Sequence, residues 1–363
     1  MVRGGRLPIV DAPEALTPEW LTAALAASGT IRRERVLEVA TSAIGTGQMC
    51  TCTRLTVRYD RPTEAPASLV AKLPAADATS RTTAKALRSY ENEVRFYQEL
   101  APQLPVRTPR VFHADIEVDT ARFVLLLEDL APSRPGDQIA GCSPQCAEVA
   151  LDELVKLHAP RWGDPALAEV GWLHGDKTLG RQFLLALLPG LWSGFGQRYA
   201  ADLGTDVLEA GSALFGNLES YLMADTAPWT VVHGDYRLDN LLFDSTPGGT
   251  PVAVVDWQTV TDGPALNDVA YFIGAGLHAE PRRAIEDALV RRYHAGLVAA
   301  GVPDYGWERC WHDYRRGTWS GLLMAVAASM LVARTARGDE MFLTMAARHA
   351  RHALDLEAVA VIS

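Results

Sequence analysis

The chain has 363 residues, 48% of them apolar and 21% charged, and a formal charge of 34 − 44 = −10. That length exceeds one ordinary compact core, so two domains are expected. The acidic surplus argues against general nucleic-acid or anionic-membrane binding; it is compatible with a cationic substrate, and also with solubility alone.

Residues 1–16 contain no apolar run long enough for a signal peptide, which makes the cytoplasm the default expectation. Thr17-Pro18 pairs a cap residue with proline at a first helical position and predicts a helix over Glu19–Ala27. Strand-like segments follow at Arg35–Ile44, Cys50–Tyr59 and Leu69–Leu73. Between the first two, Gly45-Thr46-Gly47 is a turn that tolerates close backbone approach. The five cysteines, Cys50, Cys52, Cys142, Cys146 and Cys310, are odd in number and sparse, and read as simple thiols rather than a disulfide framework or a zinc site. A helical pattern runs from about Ser80 to Leu100, with Leu87, Tyr90, Val94 and Tyr97 spaced as one buried stripe. Strands at Val111–Val118 and Phe123–Leu127 complete a small mixed lobe, residues 1–130.

A proline- and glycine-bearing connector, residues 131–138, opens the second lobe, residues 131–363. From Ser143 the pattern is mostly helical, with Leu151, Leu154 and Leu157 on one apolar face. The run Gly321–Ala333 is too short to span a bilayer and reads as a buried core helix. The exception to the helical pattern is a hairpin: Leu241–Phe243 and Val252–Val255 flank the turn-rich DSTPGGTP.

The chemistry concentrates around this hairpin. In VVHGDYRLDNLLFD, residues 231–244, five polar side chains stand between two apolar segments. Asn240 precedes the outgoing strand and Asp256 ends the returning one, so both lie at the same end of the hairpin. An amide oxygen and a carboxylate that converge this way suit a hard divalent cation. Asp235, in the loop before the first strand, can face the same space without being a ligand, as a general base for a hydroxyl requires. In the small lobe Lys72 interrupts an apolar strand, where a buried ammonium needs a partner. Glu93 on the following helix is a candidate and Glu91 a rival on a different face.

Together these residues resemble the aminoglycoside phosphotransferase and choline kinase superfamily, through His233-Gly-Asp235-Tyr-Arg-Leu-Asp-Asn240 followed by a strand ending in Asp256. YENEVRFYQEL, LLLEDL, VVDWQ and GPALNDVAYF look most like its ecdysteroid-kinase-like branch and bacterial relatives, over roughly residues 40–275. The resemblance implies an α+β, protein-kinase-like fold of two lobes and an ATP-dependent transfer of phosphate to the hydroxyl of a small molecule. It implies Asp235 as the base, Asn240 and Asp256 as magnesium ligands, Lys72 on the α/β-phosphates and Glu93 holding Lys72. Glu128, through its carbonyl, and Leu130, through its amide, would meet the adenine edge. His233 would be structural and Asp268 would brace the loop. IGTGQMC is a sparse version of a glycine-rich phosphate loop, in which the resemblance implies Gly45 and Gly47 as phosphate contacts.

A second HGD triplet, His174-Gly175-Asp176, serves as an internal control. Arg181 stands where the first copy has Asn240, and no strand ending in Asp follows, so this copy reads as a loop leading into a helix near Arg181. His349 and His352 lie three apart on a predicted helix with no third ligand, and read as a solvated face. Trp307, Trp311, Tyr314 and Trp319 are candidate lining residues of the acceptor site or, alternatively, core. A nucleotide-binding pseudokinase acting through a protein partner is the alternative; it predicts loss of Lys72, Asp235, Asn240 or Asp256, and all four are present. A protein kinase is disfavoured because no A-P-E-type segment follows Asp256. Neither a P-loop nor a full dinucleotide fingerprint occurs.

Overall fold

The computed structural model describes residues 7–45, 49–244 and 251–363. Gly47, one of the proposed phosphate contacts, lies outside the described residues. The architecture is α+β, and the chain divides into two compact units. Unit 1 runs to Gln103 and resumes over Thr108–Pro132; unit 2 comprises Leu104–Arg107 and Ser133–Ser363.

Unit 1 begins with α1 (Pro18–Ala27), where the Thr17 hydroxyl accepts from the Trp20 amide at 3.2 Å and caps the helix. Among the described residues, β1 (Val36–Ala43), β2 (Cys50–Tyr59), β3 (Ser68–Pro74), β4 (Val111–Glu117) and β5 (Arg122–Glu128) form an antiparallel sheet in the order β1-β2-β3-β5-β4. One face carries Leu55, Val57, Leu69, Ala71, Leu73, Val124 and Leu126 onto Trp20, Leu21, Ala24 and Leu25 of α1, a core built by strand alternation.

The helix expected over Ser80–Leu100 is not continuous. It breaks into α2 (Ala78–Ala86) and α3 (Ser89–Arg95), followed by a π-helical turn at Phe96–Leu100. At the break Arg88 adopts φ 55°, which a right-handed helix cannot include. Tyr90, Val94 and Tyr97 are buried, whereas Leu87 is 48% exposed, because the break rotates α2 out of register with α3.

Unit 2 follows with β6 (Arg134–Pro135), α4 (Pro144–His158), α5 (Gly171–His174), α6 (Lys177–Arg198), α7 (Thr205–Gly216), α8 (Leu218–Met223) and β7 (Thr230–Val232). The hairpin β8 (Leu241–Phe243) and β9 (Val252–Val254) pairs Leu241 with Val254 and Phe243 with Val252. β10 (Thr261–Gly263) returns to pair antiparallel with β7. Four helices close the chain: α9 (Leu266–Gly276), α10 (Ala279–Ala299), α11 (Trp307–Leu331) and α12 (Ala336–Asp355). No described helix is long and apolar enough to cross a membrane.

One expectation changes here. His349 and His352 are not on a solvated face; both side chains are fully buried. The stripe of α12 that carries Met341, Met345 and Ala353 repeats at i+4, and His349 falls in that series. Burial, with the charges of Arg282 and Arg348 and neighbouring His352, holds the His349 pKa well below its usual value. Of the aromatic residues on α11, Tyr314 and Trp319 belong to the core. The Tyr314 hydroxyl donates to Glu286 at 2.6 Å and the Trp319 indole donates to the Ala358 carbonyl at 3.2 Å. Trp307 and Trp311 stack on each other, partly buried, with the Arg291 guanidinium 3.9 Å from the Trp307 ring centre.

Candidate active site

The HGD loop leaves β7 and is held from below by α9. Gly234 has φ 81°, and a Cβ there would lie 2.6 Å from the Thr259 carbonyl oxygen, so only glycine fits. Asp268, in the first turn of α9, accepts the His233 amide at 2.7 Å on Oδ2 and the Gly234 amide at 2.9 Å on Oδ1. Behind it, Oδ2 also faces His158 Nε2 at 3.2 Å, and His158 Nδ1 meets the Tyr293 hydroxyl at 2.7 Å. Burial opposes ionisation of Asp268. The His158 hydrogen bond, the largest of the opposing effects, and the His233 amide outweigh it and keep the carboxyl below its usual range.

The His233 ring is buried and its role is geometric. Its Nδ1 accepts the Asp235 amide at 3.2 Å, so Nε2 carries the proton and donates to the Val255 carbonyl at 3.0 Å. That bond ties the loop to the end of β9, next to Asp256.

Asp235 is partly exposed, and its carboxylate is fixed by three side chains: Arg237 Nε at 3.0 Å and Asn240 Nδ2 at 3.0 Å on Oδ2, and the Tyr271 hydroxyl at 2.6 Å on Oδ1. Arg237 also donates to Asp239 at 2.6 Å. Burial works against its charge, but the carboxylates of Asp235 and Asp239 outweigh that effect and raise its pKa. Gln138 clamps the loop from the other side: its side-chain oxygen accepts the Leu238 amide at 2.9 Å and its backbone amide donates to Asp239 at 3.1 Å.

Asn240 directs its amide group at the Asp235 carbonyl, 2.9 Å, and carboxylate, 3.0 Å. Its own side-chain oxygen takes no hydrogen bond among the described residues and remains available as a donor to a cation. The Asn240 carbonyl accepts the Val255 amide at 3.0 Å, which brings Asn240 beside the segment that delivers Asp256. Asp256 follows β9 with φ 66°, an orientation uncommon outside glycine and frequent at functional turns. Among the described residues no three His, Cys, Asp or Glu side chains form a metal cage. One amide oxygen and one carboxylate are nevertheless the donor set magnesium takes when phosphates and water complete its sphere.

In unit 1 the Lys72 ammonium lies 2.8 Å from Oε1 and 2.7 Å from Oε2 of Glu93, with both side chains buried. Glu91 is elsewhere, 3.1 Å from Arg88. Glu128 ends β5, and its backbone and side chain bracket Arg110: the Glu128 amide donates to the Arg110 carbonyl at 2.8 Å and the carboxylate accepts the Arg110 amide at 2.9 Å. Leu130, half-buried, follows two residues on. Gly45 has φ 73° with open space around it.

The second HGD copy is built differently. His174 ends α5 and its Nδ1 lies 2.5 Å from Asp262, while Asp176 accepts the Leu179 amide at 2.9 Å and caps α6. The helix therefore starts at Lys177, earlier than the expected neighbourhood of Arg181. Residues that sequence reasoning missed are Tyr271, Arg237, His158 and Gln138. Tyr271 had a signal, one helical turn after Asp268 in LNDVAYF, and Arg237 stands two residues beyond Asp235 in the loop itself; His158 and Gln138 are brought in by tertiary packing.

Comparison with known proteins gives a consistent result. A curated chicken (Gallus gallus) protein, acyl-CoA dehydrogenase family member 11, is 25% identical over 170 residues; the match takes 46% of this chain and 20% of the relative, so the chain spans about a fifth of the length of the curated relative it matches. Among solved structures, aminoglycoside 2'-phosphotransferase-IIIa in its GDP complex superposes with TM-score 0.52 at 12% identity, covering 92% of this chain and 98% of that one. The microcompartment-associated aminopropanol kinase gives 0.51 at 14% identity, over 86% and 90%. A choline/ethanolamine kinase family protein from Mesorhizobium loti gives 0.50 at 16% identity, over 94% and 98%. At such identities the likeness establishes the fold, which is that of the protein-kinase-like phosphotransferases. The family model of the Phosphotransferase enzyme family (APH) matches residues 57–310, and this chain belongs to that family.

Proposed function

We propose that this protein is a small-molecule kinase that transfers the γ-phosphate of ATP to a hydroxyl, with Asp235 as base and magnesium held by Asn240 and Asp256. The observation that carries the reading is the Asp235 carboxylate, oriented by Arg237, Asn240 and Tyr271 yet still partly open to solvent. A carboxylate held in this way accepts a hydrogen bond from an incoming hydroxyl and points its oxygen lone pair toward phosphorus. As the new O–P bond forms, the hydroxyl proton passes to Asp235 and the bond from phosphorus to the β-phosphate oxygen breaks, leaving ADP. Bound magnesium supplies charge neutralisation on the phosphates. Lys72, held by Glu93, contributes further positive charge to the α/β-phosphates, and Glu128 and Leu130 offer backbone groups to adenine. His233 and Asp268 keep the loop backbone in place.

Supporting the acceptor class are relatives named for aminoglycoside, aminopropanol and choline or ethanolamine substrates. The motif likeness to the ecdysteroid-kinase-like branch leaves room for a bulkier alcohol. The test is release of ADP by the purified protein with magnesium-ATP, and separately of GDP with magnesium-GTP, against a panel of hydroxylated amines, sugars, sterols and macrolides. A magnesium-dependent, acceptor-stimulated signal is expected. Nucleotide binding without turnover on any acceptor would favour the pseudokinase alternative.

A further inference from the structure

Resting on the reading of Asp235 as the base, the geometry points to Tyr271 as its positioning residue: the phenol sets the direction in which Oδ1 receives the acceptor hydroxyl.

The argument is a count of lone pairs. A carboxylate offers about four acceptor directions, two on each oxygen. Arg237 Nε and Asn240 Nδ2, each at 3.0 Å, occupy both directions on Oδ2. The Tyr271 hydroxyl, at 2.6 Å, occupies one on Oδ1. One direction is left, on Oδ1 beside the phenol, and the Asp235 side chain retains 20% of its exposure. The acceptor hydroxyl therefore meets Oδ1, with its approach defined by the group already bound there.

Tyr271 is suited to that task. It lies on α9 one turn beyond Asp268, so a single helix holds the loop backbone through one residue and the carboxylate through the other. Its ring is 3% exposed and stacks on His349, with centroids 5.3 Å apart and planes 19° from parallel. His349 in turn is fitted against two glycines. A Cβ at Gly274 would come within 2.7 Å of His349 Nδ1, and one at Gly321 within 2.0 Å of Cε1. Three helices thus leave the ring little freedom. Burial, reinforced by the charge of Asp235, pushes the phenol pKa well above its usual value, so Tyr271 remains a donor throughout the working range.

The test is Tyr271→Phe, which keeps the stacked ring and deletes the hydroxyl, compared with Asp235→Asn. Both are measured by steady-state magnesium-ATP hydrolysis with water as the acceptor, and by thermal unfolding. Tyr271→Phe is expected to lower kcat on the order of tenfold, the scale of one hydrogen bond to a charged group, with KM for ATP within about twofold of wild type and Tm unchanged. A wild-type kcat for Tyr271→Phe beside an impaired Asp235→Asn overturns the positioning role and leaves the base intact. A loss of kcat matched by a clear fall in Tm or a rise in KM overturns it as well, because the hydroxyl would then serve the fold or the nucleotide. A wild-type rate for Asp235→Asn refutes the base reading itself.

Discussion

Asp268 reaches two consecutive amides of the HGD loop, His233 on Oδ2 at 2.7 Å and Gly234 on Oδ1 at 2.9 Å, so one buried carboxylate sets the backbone immediately before Asp235. Asp268→Asn presents an NH2 group where one amide now finds an acceptor. The buried mismatch is expected to cost about 2–4 kcal/mol of unfolding free energy and to reduce turnover as well. Urea denaturation with parallel ATP kinetics checks it; unchanged stability would mean that the loop holds its shape without this contact.

Asp256→Ala removes the proposed magnesium carboxylate. Turnover is expected to fall to background while the unfolding transition stays near wild type, since Asp256 lies just beyond β9 rather than in the core. Titration of magnesium against a fluorescent ATP analogue gives an activity-independent readout, and undiminished metal-dependent binding would exclude the assignment.

The two HGD copies are expected to separate cleanly. Asp235→Asn lowers kcat by about 10² or more, the scale of base loss. Asp176→Asn is expected to be nearly silent, because asparagine also caps helices, and Asp176→Ala to cost about 1 kcal/mol of stability through α6 with kcat unchanged. A kinetic defect in either Asp176 variant would show that the wrong loop was chosen.

In unit 1, Glu93→Gln is expected to raise KM for ATP and to lower stability by roughly 1–3 kcal/mol, since the buried Lys72 ammonium loses its counter-charge. Lys72→Met should act more strongly on ATP use than on stability. Glu91→Gln removes only the pairing with Arg88, whose side chain is 45% exposed, and is expected to change neither quantity. The reverse ranking of the two glutamates would contradict the arrangement around Lys72.

Burial depresses the pKa of His349, and that of His352 against the opposing pull of Glu286. In the unfolded chain both take up protons near pH 6.5, whereas the folded chain resists doing so. Their contribution is therefore neutral above about pH 6.5 and becomes destabilising as pH falls toward the folded-state values. Thermal unfolding between about pH 7.5 and pH 5 should show Tm falling, with a shallower slope in His349→Phe. The slope is the readout, because the tight fit against Gly321 makes the absolute Tm of that variant uninformative. An unchanged slope would mean that His349 does not contribute to the acid dependence.

The strand alternation of β2, the Thr17-Pro18 cap and the pairing of Leu241–Phe243 with Val252–Val254 were legible in the chain because each depends on neighbours close in sequence. The hairpin placed Asn240 near Asp256 for the same reason: an antiparallel return is a local event. Other features depended on contacts between distant segments. The break at Arg88 and the exposure of Leu87 follow from how α2 and α3 pack separately, which the continuous apolar pattern concealed. His349 and His352 looked solvated because histidine is polar, yet His349 falls in the buried i+4 series of α12 and His352, three residues on, lies on the same buried face. Tyr271 meets Asp235 across 36 residues, and His158 meets Asp268 across 110. The amino-acid sequence by itself determined the fold class and the loop that carries the candidate base. Only the tertiary structure brought Tyr271 to that base and His158 behind Asp268, because a hydrogen bond between remote segments leaves no periodic trace in either one.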